Sequence, residues 1–177
     1  MERRVVVFGS SRCPEGSREH QQAEAVGRAV AQRGLVLVSG GYAGSMGAAS
    51  RGAKEAGGRV EGITTAVFTD RAPNAWLDRV TEEPDYPIRM AQLLKAGDAY
   101  VALPGGLGTL AEWATAWCLA SIDQLGGPLW AFQDPWKPLQ EAILRLPEVR
   151  DEHAGLVRWV EDAKALAEDL DRWTAGR

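Results

Sequence analysis

Ala99-Tyr100-Val101-Ala102-Leu103-Pro104-Gly105-Gly106-Leu107-Gly108-Thr109-Leu110-Ala111-Glu112 joins an unbroken apolar run to three glycines and then to a segment of helical composition. The run from Ala99 to Leu103, closed by Pro-Gly, reads as a buried strand. The glycines let the backbone turn tightly, and the helix predicted from Thr109 to Ile122 opens with unpaired N–H groups and a positive dipole end. That combination suits a phosphate. Thr109 and Glu112 also have the T-x-x-E spacing of a capping box, so the simplest role for Glu112 is to cap the helix start. Charge distribution argues for more. Between Asp98 and Asp123, Glu112 is the only charged residue, and a carboxylate in so apolar a helix is costly unless partnered or used.

Two similar junctions lie upstream. Val5 to Phe8 reads as a buried strand ending at Gly9-Ser10-Ser11. The helix predicted over 18–33 puts Ala23, Val26, Gly27 and Val30 on one face, and Gly34 stops it. Leu35 to Val38 is the second strand. The Gly-rich segment Ser39 to Gly47 then leads into a helix with Ala48, Ala49, Gly52, Ala53 and Ala56 along one side. Arg59 to Ile63 and Val80-Thr81 read as further strands. The stretch between them, Thr64 to Leu77, is expected to be a flap, with Trp76 its candidate base-stacker. Pro87 suits the first turn of a helix running to Lys95. Beyond the opening stretch, Pro128 to Phe132, a helix over 136–145, an edge strand from Leu156 to Val160 and a helix from Asp162 to Trp173 complete the chain.

Alternation of this kind predicts an α/β fold: a three-layer, Rossmann-like, doubly wound, mainly parallel sheet flanked by helices, in one domain over residues 1–177. Ligands of such sheets bind outside the carboxyl ends of the strands. The segments 9–11, 39–47 and 104–109 all fall there. A dinucleotide fingerprint would read G-x-G-x-x-G after the first strand, with an acidic residue some twenty positions on. Here Gly41-x-x-Gly44-x-x-Gly47 follows the second strand, and Glu61 lies near the right distance but inside a strand pattern. A mononucleotide fits better. The candidate nucleotide- and phosphate-binding residues are Gly9, Ser10, Ser11, Gly40, Gly41, Gly44, Met46, Gly47, Pro104, Gly105, Gly106, Gly108 and Thr109.

Composition narrows the partners. A net charge of −4 on 177 residues argues against a nucleic-acid polymer or an anionic membrane. The two cysteines, Cys13 and Cys118, make no disulfide scaffold and suit a reducing compartment, so the cytoplasm is the expected location. His20, on a polar helix face, and His153, in a loop, belong to no cluster with metal-ligand spacing. None of the four lysines, Lys54, Lys95, Lys137 and Lys164, sits where a Schiff base would form, so neither a metal nor a cofactor is expected. Trp113 and Trp117, four apart, read as core or interface. The helix carrying them is apolar almost all round, which predicts packing on the sheet and on a second subunit.

The run from Pro104 to Glu112, Pro-Gly-Gly-x-Gly-Thr-x-x-Glu, resembles the signature of the LOG (Lonely guy) family, also labelled "lysine decarboxylase-like". Ser39 to Gly47 is similar to that family's Gly-Gly-Gly-x-x-Gly-x-Met-Gly segment, with Tyr42 in place of the third glycine. The resemblance covers roughly residues 4–132. It implies a homodimer of Rossmann-like subunits that hydrolyses the N-glycosidic bond of a nucleoside 5′-monophosphate, AMP or a cytokinin riboside monophosphate, to free base and ribose 5-phosphate. It implies Glu112 and Arg89 as the catalytic residues. Read without the family, Arg89 either holds the phosphate or ribose through its planar fork or is an exposed helix cation pairing with Asp85. Two departures stand out: Ala111-Glu112 where the family often has Glu-Glu, and Met90 where it commonly has lysine. Proteins of the same fold that carry molybdenum cofactor without hydrolysing anything supply the alternative, a non-catalytic nucleotide or cofactor carrier.

Overall fold

The computed structural model describes residues 2–176. Seven strands form one sheet: β1 (Arg4–Phe8), β2 (Val36–Ser39), β3 (Val60–Thr65), β4 (Arg79–Glu83), β5 (Ala99–Ala102), β6 (Leu129–Phe132) and β7 (Val157–Val160). Their order is β4-β3-β2-β1-β5-β6-β7. Every pairing is parallel, so the expected "mainly parallel" sheet is wholly so.

The central strand shows why these residues form a buried sheet. Val5 and Val7 of β1 face one core layer, and Val6 and Phe8 face the other. A strand covered on both sides is apolar at every position instead of alternating. Helices α1 (Arg18–Ala31), α2 (Ser45–Glu55) and α6 (Ala163–Ala175) cover the first face. Helices α3 (Tyr86–Ala96), α4 (Leu107–Ser121) and α5 (Gln133–Ile143) cover the second. No helix among the described residues is long and apolar enough to cross a membrane.

Small residues set the spacing of the first helical layer. A Cβ on Gly27 would lie 1.8 Å from the Ala49 carbonyl oxygen, and one on Gly52 would lie 2.0 Å from that of Glu24. Helices α1 and α2 therefore touch backbone to backbone. Gly27→Ala is expected to destabilise the fold by about 1–3 kcal/mol, because neither neighbour is a movable side chain. Urea denaturation followed by circular dichroism would register this as a lower midpoint with an unchanged slope.

Local details differ from expectation in several places. Strand β4 has five residues where two were predicted, and β3 runs on through Thr64 and Thr65, shortening the flap. His20 is buried, in the first turn of α1, where its backbone N–H meets the capping hydroxyl of Ser17 at 3.1 Å. Helix α4 starts at Leu107, with Gly106 as N-cap and no side-chain capping bond, so Thr109 and Glu112 form no capping box. Trp113 lies between Trp117 and Trp136, with ring centroids 5.4 Å from each. Trp136 also donates its indole N–H to the Leu103 carbonyl at 2.9 Å, which holds the end of the β5 segment where the glycines begin.

Candidate active site

Where the strand order reverses, between β1 and β5, the β1 loop passes to α1 on one face and the β5 loop to α4 on the other. The crevice between them is the ordinary ligand position of such a sheet. Here it is a cavity of about 490 Å³. The β1 loop supplies Gly9, Ser10, Ser11 and Arg12, and the β2 loop and α2 supply Tyr42 and Met46. Phe68 and Arg71 come from the β3–β4 loop, and Tyr86 and Arg89 from α3. The first two turns of α4 close it with Gly106, Leu107, Gly108, Thr109 and Glu112.

Arg89 and Glu112 meet on the inner wall. Both side chains are almost wholly buried, at 3% and 5% exposure, and Arg89 Nη1 donates to Glu112 Oε1 at 3.3 Å. Arg89 Nε donates to the Ile63 carbonyl at 2.8 Å. The guanidinium carbon stands 5.7 Å from the Tyr42 ring centroid and 5.8 Å from that of Tyr86, within cation–π range of both. Asp85, which the bland reading paired with Arg89, instead caps α3, accepting from the Ile88 N–H at 2.8 Å. Burial pushes the Glu112 carboxyl from its ordinary 4.5 up to about 7, against the pull of Arg89. A carboxyl titrating near neutrality can serve as acid or base with little driving force lost. Burial and then the Glu112 charge also raise the Tyr86 hydroxyl above its ordinary value.

One helical turn before Glu112 on α4, Thr109 is 1% exposed, and among the described residues its hydroxyl has no hydrogen-bond partner. A buried hydroxyl without a partner, in the first turn of a helix, is an unsatisfied donor beside the backbone N–H groups that suit an oxyanion.

Among the residues predicted from sequence, Gly9, Ser10, Ser11, Met46, Arg89, Gly106, Gly108, Thr109 and Glu112 line this cavity. Gly40, Gly41, Gly44, Gly47, Pro104 and Gly105 do not. Their small size serves the walls instead. A Cβ on Gly40 would fall 2.0 Å from Arg89 Nη2, and one on Gly105 would fall 2.2 Å from the Thr109 hydroxyl. Gly44 has φ +66° and abuts the Ser10 carbonyl, which accepts from the Ser45 N–H at 2.9 Å. Gly47 and Trp76 line a neighbouring cavity, which shares Ser11 and Arg12 with this one. Gly40→Ala is expected to dislodge the Arg89 guanidinium, move the Glu112 titration upward and lower the melting temperature. Carbon-detected NMR of the Glu112 carboxyl would check it.

Sequence reasoning missed Arg12, Tyr42, Phe68, Arg71, Tyr86 and Leu107. The β3–β4 loop brings three aromatic rings into one wall, Tyr42 to Phe68 at 5.7 Å and Phe68 to Tyr86 at 6.2 Å. Asn74 fixes that loop, donating from Nδ2 to the Gly41 and Tyr42 carbonyls at 3.1 Å each. The one available signal was Tyr42, an aromatic residue set among glycines at a strand end.

A doubly wound sheet with a glycine-opened helix start, an unsatisfied buried hydroxyl and a buried carboxyl–guanidinium pair defines a Rossmann-like protein with a candidate nucleotide site. Residues 2–122 match the model of the SLOG cluster4 family. The chain belongs to that family, and with it to the LOG-type proteins. It is 38% identical over 111 residues to the cytokinin riboside 5′-monophosphate phosphoribohydrolase of Rhodococcoides fascians, covering 61% of this chain and 56% of that protein. It is 33% identical over 119 residues to the protein of the same name from Mycobacterium tuberculosis, covering 64% and 62%. The matches thus span little more than half the length of these relatives. Among solved structures, the molybdenum cofactor binding protein of Rippkaea orientalis superposes with a TM-score of 0.78 at 22% identity, covering 98% of each chain. At that identity the likeness shows the shared fold.

Proposed function

We propose that this protein hydrolyses the N-glycosidic bond of a nucleoside 5′-monophosphate, AMP or an N6-substituted AMP, giving free base and ribose 5-phosphate. The observation that carries the reading is the buried Arg89–Glu112 pair facing a cavity that also takes in the start of α4, one turn from Glu112. The 5′-phosphate is taken up by the backbone N–H groups at the start of α4 and by Thr109. The ribosyl carbon C1′ is then presented to Glu112.

As the bond to the base breaks, positive charge builds on the sugar. An ionised Glu112 stabilises that charge and orients a water toward C1′. The water's oxygen bonds to C1′, the bonding electron pair leaves with the base, and the released proton ends on that base. Arg89 keeps the carboxylate in place and draws it toward its ionised form. The aromatic wall of Tyr42, Phe68 and Tyr86 offers a surface for a flat, apolar ring. Named activities of the relatives in Rhodococcoides fascians and Mycobacterium tuberculosis support the same reaction class.

A second copy is the expected partner. Leu107 is 85% exposed beside the cavity mouth, and Ile88 and Ile122 are exposed on the same helical layer. Light scattering would report the mass of a dimer.

Incubation with AMP, N6-substituted AMP and adenosine tests the function. Equimolar free base and ribose 5-phosphate from the two monophosphates, with adenosine untouched, is the expected result. A melting temperature raised by AMP with every nucleotide intact would instead mark a carrier.

A further inference from the structure

Two loops carry positive charge to the cavity that the chain itself barely neutralises. Three arginines line the cavity, Arg12, Arg71 and Arg89, against one carboxyl, Glu112. Arg89 and Glu112 answer each other, which leaves Arg71 and Arg12. Arg71 is the better held of the two. The turn from Phe68 to Arg71 is closed by the Arg71 N–H on the Phe68 carbonyl at 3.2 Å, and it folds the guanidinium to 4.4 Å from the Phe68 ring centroid. Arg71 Nη1 donates to the Ser11 hydroxyl at 3.3 Å, the side chain's one hydrogen bond among the described residues. The other N–H donors of the fork are unspent, on a side chain only 33% exposed. Asp70, its one ion-pair neighbour among the described residues, lies 3.9 Å from Nε with a carboxylate 81% exposed to water, a contact of little energy. Arg12, exposed and next to Ser11 on the β1 loop, makes no side-chain hydrogen bond or ion pair with a described residue. That loop is itself fixed, since the Ser10 N–H donates to Ser45 Oγ at 2.8 Å and the Arg12 N–H to Ser10 Oγ at 3.1 Å.

A phosphate monoester carries about two negative charges at neutral pH. The start of α4 offers it backbone N–H groups and only a partial positive charge. Two guanidinium groups with their charge unmet supply the rest. We propose that Arg71, with Arg12 beside it, is the charge partner of the nucleotide's single 5′-phosphate, and that this pair makes the site take a nucleoside monophosphate in preference to the bare nucleoside. Phosphate oxygens turned toward α4 meet its N–H groups, and those turned toward the loops meet the planar fork of Arg71. Arg71 is thus a binding and specificity residue, and the reacting atoms stay with Glu112. The inference rests on the nucleotide-site part of the reading above and not on turnover.

Calorimetric titration with AMP and with adenosine tests it, on Glu112→Gln protein so that the base stays attached throughout. Arg71→Gln, which keeps the packing on Phe68 and removes the charge, is expected to weaken AMP at least about tenfold, the size of one charge-assisted contact. Arg12→Ala added to it weakens AMP further, while adenosine affinity stays where it was. Arg71→Lys restores the charge without the fork and recovers part of the loss. Added salt weakens AMP binding in the starting protein and does so much less in the double variant. AMP affinity that survives the double substitution would overturn the proposal. So would a loss shared equally by adenosine, or one that leaves the salt dependence unchanged, since either marks Arg71 as mere packing for the Phe68 loop. If wild-type protein hydrolyses AMP and Arg71→Gln does so with the same KM, the proposal falls and the hydrolase stands. If AMP binds with this dependence on the arginines and is never cleaved, the hydrolase falls and the proposal stands.

Discussion

Glu112→Gln is expected to lower kcat for AMP hydrolysis by about 10²–10⁴-fold, the range for loss of a positioned acid–base group. The substitution keeps the volume and a hydrogen-bond acceptor for Arg89, so the cavity wall is preserved and KM should change far less than kcat. The carboxylate's negative charge is what disappears, and that charge opposes the positive charge on the sugar only as the ribosyl bond breaks. The pH profile gives the same residue a second signature. With the free-protein carboxyl at about 7, the ionised fraction falls tenfold for each pH unit below that value. The wild-type kcat/KM should therefore drop on the acid side of about pH 7 and level off above it. In Glu112→Gln that limb should vanish, leaving a flat residual rate.

Arg89→Ala is expected to cost about 10²–10³-fold in kcat/KM, the scale of removing one fixed electrostatic donor from a buried site. Three things go at once: the bond to Glu112, the bond to the Ile63 carbonyl, and the cation between the Tyr42 and Tyr86 rings. Without the guanidinium, nothing in that wall opposes the burial that raises the Glu112 carboxyl. The acid limb should therefore move to higher pH, and part of the lost rate should return in alkaline buffer. A residue that merely packed the wall would lower the rate without moving the limb. Arg89→Lys restores charge but not the forked geometry, and should recover the position of the limb better than the rate.

The fold was largely legible because its strands are buried on both faces. Runs such as Val5–Phe8 and Leu35–Val38 carry apolar residues at every position, and each is followed by a glycine or serine that marks the turn. The start of α3 was equally plain from Pro87, although the capping role of Asp85 was not read from the sequence. Glycine was the misleading signal. It reports only that a side chain will not fit, and Gly40, Gly44 and Gly105 make room for Arg89, the Ser10 carbonyl and Thr109 respectively. None of these is a contact with the cavity. The spacing of Thr109 and Glu112 misled likewise, because the helix begins two residues earlier, at Leu107, and turns both side chains inward.

What was not legible depends on the β3–β4 loop. Phe68 and Arg71 reach the site because Asn74 ties that loop to the β2 loop, a contact between segments about thirty residues apart that leaves no periodicity in the sequence. Arg89 is the intermediate case. Its helix and position were readable, but its direction was not, since α3 could have turned that side chain to solvent toward Asp85. The Ile63 carbonyl within β3 decides it, and only the assembled sheet places that group.

A crystal structure of Glu112→Gln protein with AMP measures the central arrangement directly. The phosphate should rest on the N–H groups between Gly106 and Thr109 with the Thr109 hydroxyl as a donor. The ribosyl C1′ should lie within about 3.5 Å of the residue-112 side chain or of a water bound to it. A phosphate seated on the Arg12 side with C1′ out of reach of residue 112 would contradict the assignment of Glu112 as the catalytic group.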